Sequence, residues 1–246
     1  HPGVVTGKPV DMFGSLGRDE ATGRGVMIAT EEYLRTQDKK ISDATFVVQG
    51  FGNVGSHSAR LFHERGGKVV AIGDHTASYY DPEGINIPAA LAWVKDRKIL
   101  AGWTGAPSIS RDDILYQECD VLVPAALGGI ITAENAGRLK CKVIVEGANG
   151  PTTPEADDIL HARGVVILPD IYANAGGVTV SYFEWVQNIQ QFYWEETRVR
   201  SELERIMRRA FADLYSTAQS HHIDLRTAAF VVAIQRVAKA TAQRGI

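Results

Sequence analysis

The stretch FVVQGFGNVGSHSARLF, Phe46 to Phe62, decides the fold. It joins a short apolar run, Phe46 to Val48, to the loop Gly50-Phe51-Gly52-Asn53-Val54-Gly55, and then to a helical pattern over Ser56 to Arg65 that closes at Gly66-Gly67. A second apolar run, Val69 to Ile72, ends at Asp74, which lies 74 − 55 = 19 positions after the last glycine of the loop. A lone GxGxxG is a weak signal in a chain with 24 glycines. Strand, loop, helix, strand and carboxylate in this order form a dinucleotide-binding βαβ unit. Gly50 permits the tight turn, Gly52 keeps a Cβ out of the path of a pyrophosphate, and Gly55 lets the helix lie close on the sheet. The N–H groups at the helix start then face the phosphates. Asp74 is placed to accept hydrogen bonds from the adenine ribose hydroxyls, which favours NAD and leaves NADP possible. In the NADP reading His75 and Thr76 turn toward a 2′-phosphate instead.

Outward from this unit come the apolar runs Val121 to Val123, Val143 to Val145 and Val165 to Leu168, each reading as a strand buried on both faces. Helical segments, including Ile87 to Asp96, lie between most of the runs. The expected fold is therefore α/β, Rossmann-type and doubly wound, with a mostly parallel sheet and helices on both faces. Ahead of it, Glu20 to Thr36 reads as a helix. Gly23 and Gly25 in its first turns cost about 1 kcal/mol each relative to alanine, so another backbone or a ligand comes close there. After Gly177 no strand run appears and two amphipathic helices are expected. One carries Val199, Leu203, Ile206, Ala210, Phe211, Leu214 and Ala218 on a single stripe; the other begins after Asp224 as N-cap and stops at Gly245. The reading is a single domain over residues 1–246, with a Rossmann core over about 40–175 and a C-terminal helical return over about 178–246.

Composition narrows the function. Lys and Arg number 26 against 29 Asp and Glu, a net charge of −3 with the signs interspersed, which argues against nucleic acid or an anionic membrane as partner. Cys119 and Cys141 lack CxxC spacing and read as two reduced thiols of a cytoplasmic protein. The longest apolar run, Val121 to Ile131, is broken by a proline and two glycines and falls short of the ~20 residues a membrane span needs. His57 and His63 do not share a helix face and His221-His222 read as solvated; neither metal-ligand spacing nor a nucleophile elbow is visible. The first residues, HPGVVTGKPVDMFGS, show no signal-peptide pattern and read as an interior piece of a longer chain.

The segments TGKPVDMFGSLGRDEATGRGV, QGFGNVG, YYDPEGI, LVPAALGGIIT, EGANGPTTPEAD and PDIYANAGGVTVSYFEW together resemble the cofactor-binding half of the glutamate dehydrogenases, within the Glu/Leu/Phe/Val dehydrogenase family. Phe13 departs from the pattern, where glycine is common, with no functional consequence expected. The resemblance implies that Arg18 and Thr22 sit beside the nicotinamide carboxamide, which would also account for the glycines of the leading helix. It further implies that Ala125, Ala126, Asn149 and Asn174 line the nicotinamide and its ribose, and that Val178 and Ser181 shape the pocket for an amino-acid substrate. Without the resemblance, the asparagines read as turn residues, Thr22 and Ser181 as helix-end hydroxyls, and Arg18 as a surface charge.

The implied reaction is reversible oxidative deamination of L-glutamate to 2-oxoglutarate and ammonia, usually by a homo-hexamer. It needs a lysine of depressed pKa and a positioned carboxylate, which in this family belong to an N-terminal domain with a glycine-rich lysine motif. That motif is absent from this sequence. Lys8 and Asp170 are the tempting substitutes, and neither is assigned a catalytic role. The chain by itself is thus expected to bind NAD(H) without turnover. Leucine, phenylalanine or valine dehydrogenase remains the related alternative, and a non-catalytic dinucleotide-binding module the unrelated one.

Overall fold

The computed structural model describes residues 1–245. Its centre is a seven-stranded sheet of β1 (Thr45–Gln49), β2 (Lys68–Gly73), β3 (Ser78–Tyr80), β4 (Ser108–Ile109), β5 (Val121–Pro124), β6 (Val143–Val145) and β7 (Val166–Leu168), in the order β4-β3-β2-β1-β5-β6-β7. Strands β2, β1, β5, β6 and β7 run parallel. The apolar runs become strands because both faces of the sheet are covered. Phe46, Val48, Val121, Val123, Val143 and Val145 enter one core, while Val47, Leu122, Ile144 and Ile167 enter the other. The first core is filled from α1 (Ala21–Arg35), α2 (Asn53–Glu64), α3 (Ile87–Arg97), α8 (Glu196–His221) and α9 (Leu225–Gln243). The second is filled from α4 (Ala133–Ala136), α5 (Pro154–Ala162) and a 3-10 turn at Asp112–Tyr116. This is the doubly wound arrangement expected.

Three elements had no sequence signal. Strands β3 and β4 form an antiparallel edge of three and two residues. They are too short to show a period, and β3 is fixed by tertiary contacts: Tyr79 donates to Leu100 O at 3.0 Å and meets Trp103 edge-on. The C-terminal return also holds three helices rather than two. Besides α6 (Asp170–Ala173), a 15-residue α7 (Gly176–Gln190) precedes α8, and its two leading glycines hid it from a pattern search. The stripe on α8 is otherwise as read, except that Met207 takes the buried position while Ile206 and Ala210 are only half-buried. Asp224 caps α9, accepting from Thr227 N at 2.8 Å.

The glycines of α1 answer to backbone. A Cβ on Gly23 would meet Val54 O and Ser58 N of α2 at 2.9 Å, and one on Gly25 would meet Gly176 N of α7 at 2.9 Å. Helix–helix approach therefore explains both, and no ligand is needed to account for them. Phe13 has φ 70, a left-handed conformation that favours glycine, which is the physical reason for a glycine preference there.

Buried carboxylates tie the elements together. Glu20 receives Arg24, Arg60 and Arg200 from α1, α2 and α8. Glu184 of α7 is fully buried and accepts from Gly7 N, Lys8 N and the Lys8 ammonium, which pins the leading segment. Burial pushes both carboxyls up, but their hydrogen bonds and the adjacent cations win, so both titrate below their ordinary 4.5. A depressed pKa contributes stability that is present above 4.5 and lost as pH falls through the lower, folded-state value. The melting temperature should accordingly stay level from neutrality to about pH 5 and fall steeply below about pH 4, with Glu184→Gln lower at neutral pH and shallower on the acid side. An unchanged acid limb in that variant would remove Glu184 from the account.

Two apolar surfaces are left uncovered. Val178, Tyr182, Trp185 and Ile189 form a stripe on α7, and Phe230, Ile234 and Val237 form one on α9. Residues 234–243 of α9 are exposed on every side.

Candidate functional site

The chain passes from β1 to β2 on one side and returns to β5 on the other, so a crevice opens at the carboxyl ends of β1 and β5, where ligands of open α/β sheets bind. The glycine loop lies along it, and each glycine has a distinct geometry. Gly50 has φ 100, and a Cβ there would lie 2.7 Å from Ala125 C. Gly55 packs so closely that a Cβ would fall 1.7 Å from Gly50 O. Gly52 is exposed, with nothing within 4 Å of a built Cβ. It is the N-cap of α2, and no side chain caps the helix there. An open approach to uncapped N–H groups at a helix start is the cradle a pyrophosphate requires. Asn53 is exposed beside it and Val54 half-buried, whereas the Phe51 side chain is buried in the core, so only its backbone faces the crevice.

Across the crevice, the turn after β5 carries half-buried Ala125 and exposed Ala126. A Cβ on Gly147 would meet Ala125 Cβ and Val54 Cγ1, each at 3.2 Å, so the loop after β6 closes against both. That loop presents Asn149, whose Oδ1 accepts from Asn174 Nδ2 at 2.7 Å. Farther along, Arg18 Nε donates to Ser181 Oγ at 2.9 Å. A Cβ on Gly177 would strike Thr22 Oγ1 at 2.4 Å and lie 3.6 Å from Arg18 Nη1. Thr22 in the first turn of α1, Arg18 just ahead of that helix, and Ser181 of α7 thus form a polar cluster. Val178, on the same turn of α7, is 69% exposed.

Asp74 stands at the end of β2 with its carboxylate heavily engaged. Oδ1 accepts from Thr76 N, Thr76 Oγ1 and Ala77 N at 2.7, 2.5 and 3.0 Å, and Oδ2 accepts from Leu100 N at 2.7 Å. Burial works against the charge, but these bonds hold the carboxyl below its ordinary value. Thr76 is thereby committed to Asp74. His75 is exposed, with its carbonyl taken by Arg111.

The two acid–base substitutes are placed elsewhere. Lys8 is paired with Glu184, and Asp170 opens α6 with its carboxylate accepting from Gly150 N and Ile171 N at 2.7 Å. Burial pushes the Cys141 thiol up to about 12 and raises Cys119 as well. Among the described residues no group of three or more His, Cys, Asp or Glu could hold a metal ion, and no helix is long and apolar enough to cross a membrane.

The family model described as Glutamate/Leucine/Phenylalanine/Valine dehydrogenase matches residues 14–245. The chain belongs to that family. It is 49% identical over 245 residues to the glutamate dehydrogenase of Thermotoga maritima, a match covering 99% of this chain and 59% of that protein. A hetero-hexameric glutamate dehydrogenase from Thermus thermophilus, in its Leu-bound form, superposes with a TM-score of 0.92 at 33% identity, covering 100% of this chain and 58% of the other. The glutamate dehydrogenase of Peptoniphilus asaccharolyticus gives 0.85 at 38% identity, covering 99% and 57%. This member of the dehydrogenase family therefore spans less than three-fifths of the length of these relatives.

Sequence reasoning missed the supports of the site in this dehydrogenase-family chain. Glu146, Arg226 and Glu184 are long-range partners, and of the three only the EGAN motif gave a local signal, by placing Glu146 beside Asn149.

Proposed function

We propose that this chain is the NAD(H)-binding domain of a glutamate dehydrogenase, one that deaminates L-glutamate reversibly to 2-oxoglutarate and ammonia when joined to an N-terminal domain. The observation that carries the reading is the open approach over Gly52 onto the uncapped start of α2, at the switch point of the sheet. Identity of 49% to a glutamate dehydrogenase supports glutamate over leucine, phenylalanine or valine. A bound nicotinamide would supply the hydride acceptor. The chain's own residues do the rest. The amides at the start of α2 hold the pyrophosphate, Asn149 and Asn174 hold the nicotinamide ribose, and Arg18 and Thr22 orient the carboxamide. Val178 and Ser181 form one wall for the amino acid. The complete protein is proposed as a cytoplasmic hexamer, on the likeness to the Thermus assembly.

NAD is proposed over NADP because Asp74 Oδ2, with one donor against three on Oδ1, keeps capacity to accept a ribose hydroxyl, and its charge opposes a 2′-phosphate. Titrating NAD, NADH and NADP against the protein tests this. NAD should bind more tightly, and Asp74→Ser should narrow the gap by roughly ten- to a hundredfold. The same variant should melt earlier, since Asp74 also organises the turn over residues 75–77. Tighter NADP binding to the unaltered protein would reverse the assignment.

A further inference from the structure

Behind the asparagine edge of the crevice lies a network that no element of the cofactor motif contains. Glu146 follows β6 and is fully buried. Arg226, in the first turn of α9, grips it with two bonds, Nη2 to Oε1 at 2.7 Å and Nη1 to Oε2 at 3.0 Å. The remaining Nε donates to Asp157 Oδ2 of α5 at 2.5 Å. Glu146 Oε2 also accepts the backbone N–H of Asp170 at 2.9 Å, which fixes the start of α6. The Asp170 carboxylate in turn accepts Gly150 N at 2.7 Å, and α6 ends on Asn174, which donates to Asn149. The loops after β6 and β7 are thus cross-tied at two levels. The deeper tie is a planar fork with all three nitrogens engaged, a geometry that lysine cannot reproduce.

We propose that Arg226 is a positioning residue for the nicotinamide side of the crevice, acting through Glu146 and Asp170 to hold Asn149 and Asn174 in place. The proposal rests on the reading of the crevice as a dinucleotide site. If Arg226 served only to anchor α9, its loss would lower stability and change no ligand preference. If it positions the asparagines, it should affect the nicotinamide half of the ligand and leave the adenine half untouched, since Asp74 follows β2, the glycine loop follows β1, and neither is hydrogen-bonded to Glu146, Arg226 or Asp170.

Titration of the protein with NADH and with ADP, which lacks both the nicotinamide and its ribose, separates the two. The unaltered protein should bind both, NADH more tightly. Arg226→Lys should weaken NADH about tenfold, the scale of one lost hydrogen bond or slightly more, with ADP within about twofold. Asp170→Ala removes the outer tie to Gly150 N together with the carboxylate's bond to Ile171 N and its 3.9 Å approach to Arg226, but leaves the Arg226–Glu146 fork, and should act in the same direction should the lysine variant fail to fold. Asn149→Ala placed in the Arg226→Lys background should add little further loss, because the two changes remove one arrangement. Equal weakening of both ligands, unchanged NADH affinity, or full additivity in the double variant would each overturn the proposal. Failure of the unaltered protein to bind NADH would instead refute the cofactor reading and take the proposal with it.

Discussion

Gly52→Val is expected to abolish NADH binding in a protein that still folds, whereas Gly55→Val, three residues on, is expected to unfold it. Both residues belong to one loop and both are glycine, so composition cannot separate them. Space does. A side chain at Gly52 enters open crevice with nothing within 4 Å, so it obstructs only the ligand's pyrophosphate. At Gly55 the first added carbon would lie 1.7 Å from Gly50 O and 3.1 Å from Val48 Cγ1. Helix α2 would have to leave the sheet, at a cost of about 4 kcal/mol or more. Circular dichroism and NADH fluorescence on the two variants give the result directly. Normal NADH affinity in folded Gly52→Val would remove the pyrophosphate from this loop.

The purified chain should show no measurable glutamate-dependent reduction of NAD, and an N-terminal domain from a relative, fused or supplied in trans, should restore it with glutamate preferred over leucine and phenylalanine. A hydride leaves the amino acid's α-carbon only when that carbon is held about 3–3.5 Å from the nicotinamide, and such positioning is worth roughly 7–11 kcal/mol. Val178 and Ser181, as proposed above, would offer a single wall for that task. The two substitutes that the sequence offers for proton transfer are otherwise employed, Lys8 in its pair with buried Glu184 and Asp170 in holding Gly150 N. Robust turnover by the chain alone would mean an overlooked acid and base, and Lys8 and Asp170 would be the first positions to replace.

How far the sequence could be read follows from where each residue's partners lie. The five parallel strands were visible because a strand covered on both faces must be apolar at every position, and a run such as Val121 to Val123 shows this without help from its neighbours. The glycine loop was visible because its conformation is local. The short antiparallel strands β3 and β4 were not, since Ser78–Tyr80 pairs with β2 and takes its order from Leu100 and Trp103. Helix α7 escaped because Gly176 and Gly177 look like a stop signal. In the structure they are a close approach: a Cβ on Gly176 would lie 2.1 Å from Ala21 O of α1. In the candidate site, motif and resemblance named the residues on the crevice surface. Beneath them, Glu146 was legible only as part of EGAN, and its pairing with Arg226 was not legible, for a physical reason. Arg226 and Glu146 are 80 positions apart, and ion pairs at that separation leave no periodic trace.

The distal half of α9 has a thermodynamic consequence. A helical segment gains its stability from tertiary burial, and one shorter than about 12–15 residues is marginal in water without it. Residues 234–243 are all exposed and reach α8 through the solvent-exposed Arg236–Asp213 pair at 2.8 Å, while the first turn is held by the Asp224 cap and the Arg226 fork. Heating this chain should therefore not give a single transition. Far-ultraviolet ellipticity should decline gradually as the distal turns fray, well before tryptophan fluorescence reports loss of the core. The noncoincidence of the two curves measures how much of one helix does not belong to the cooperative unit.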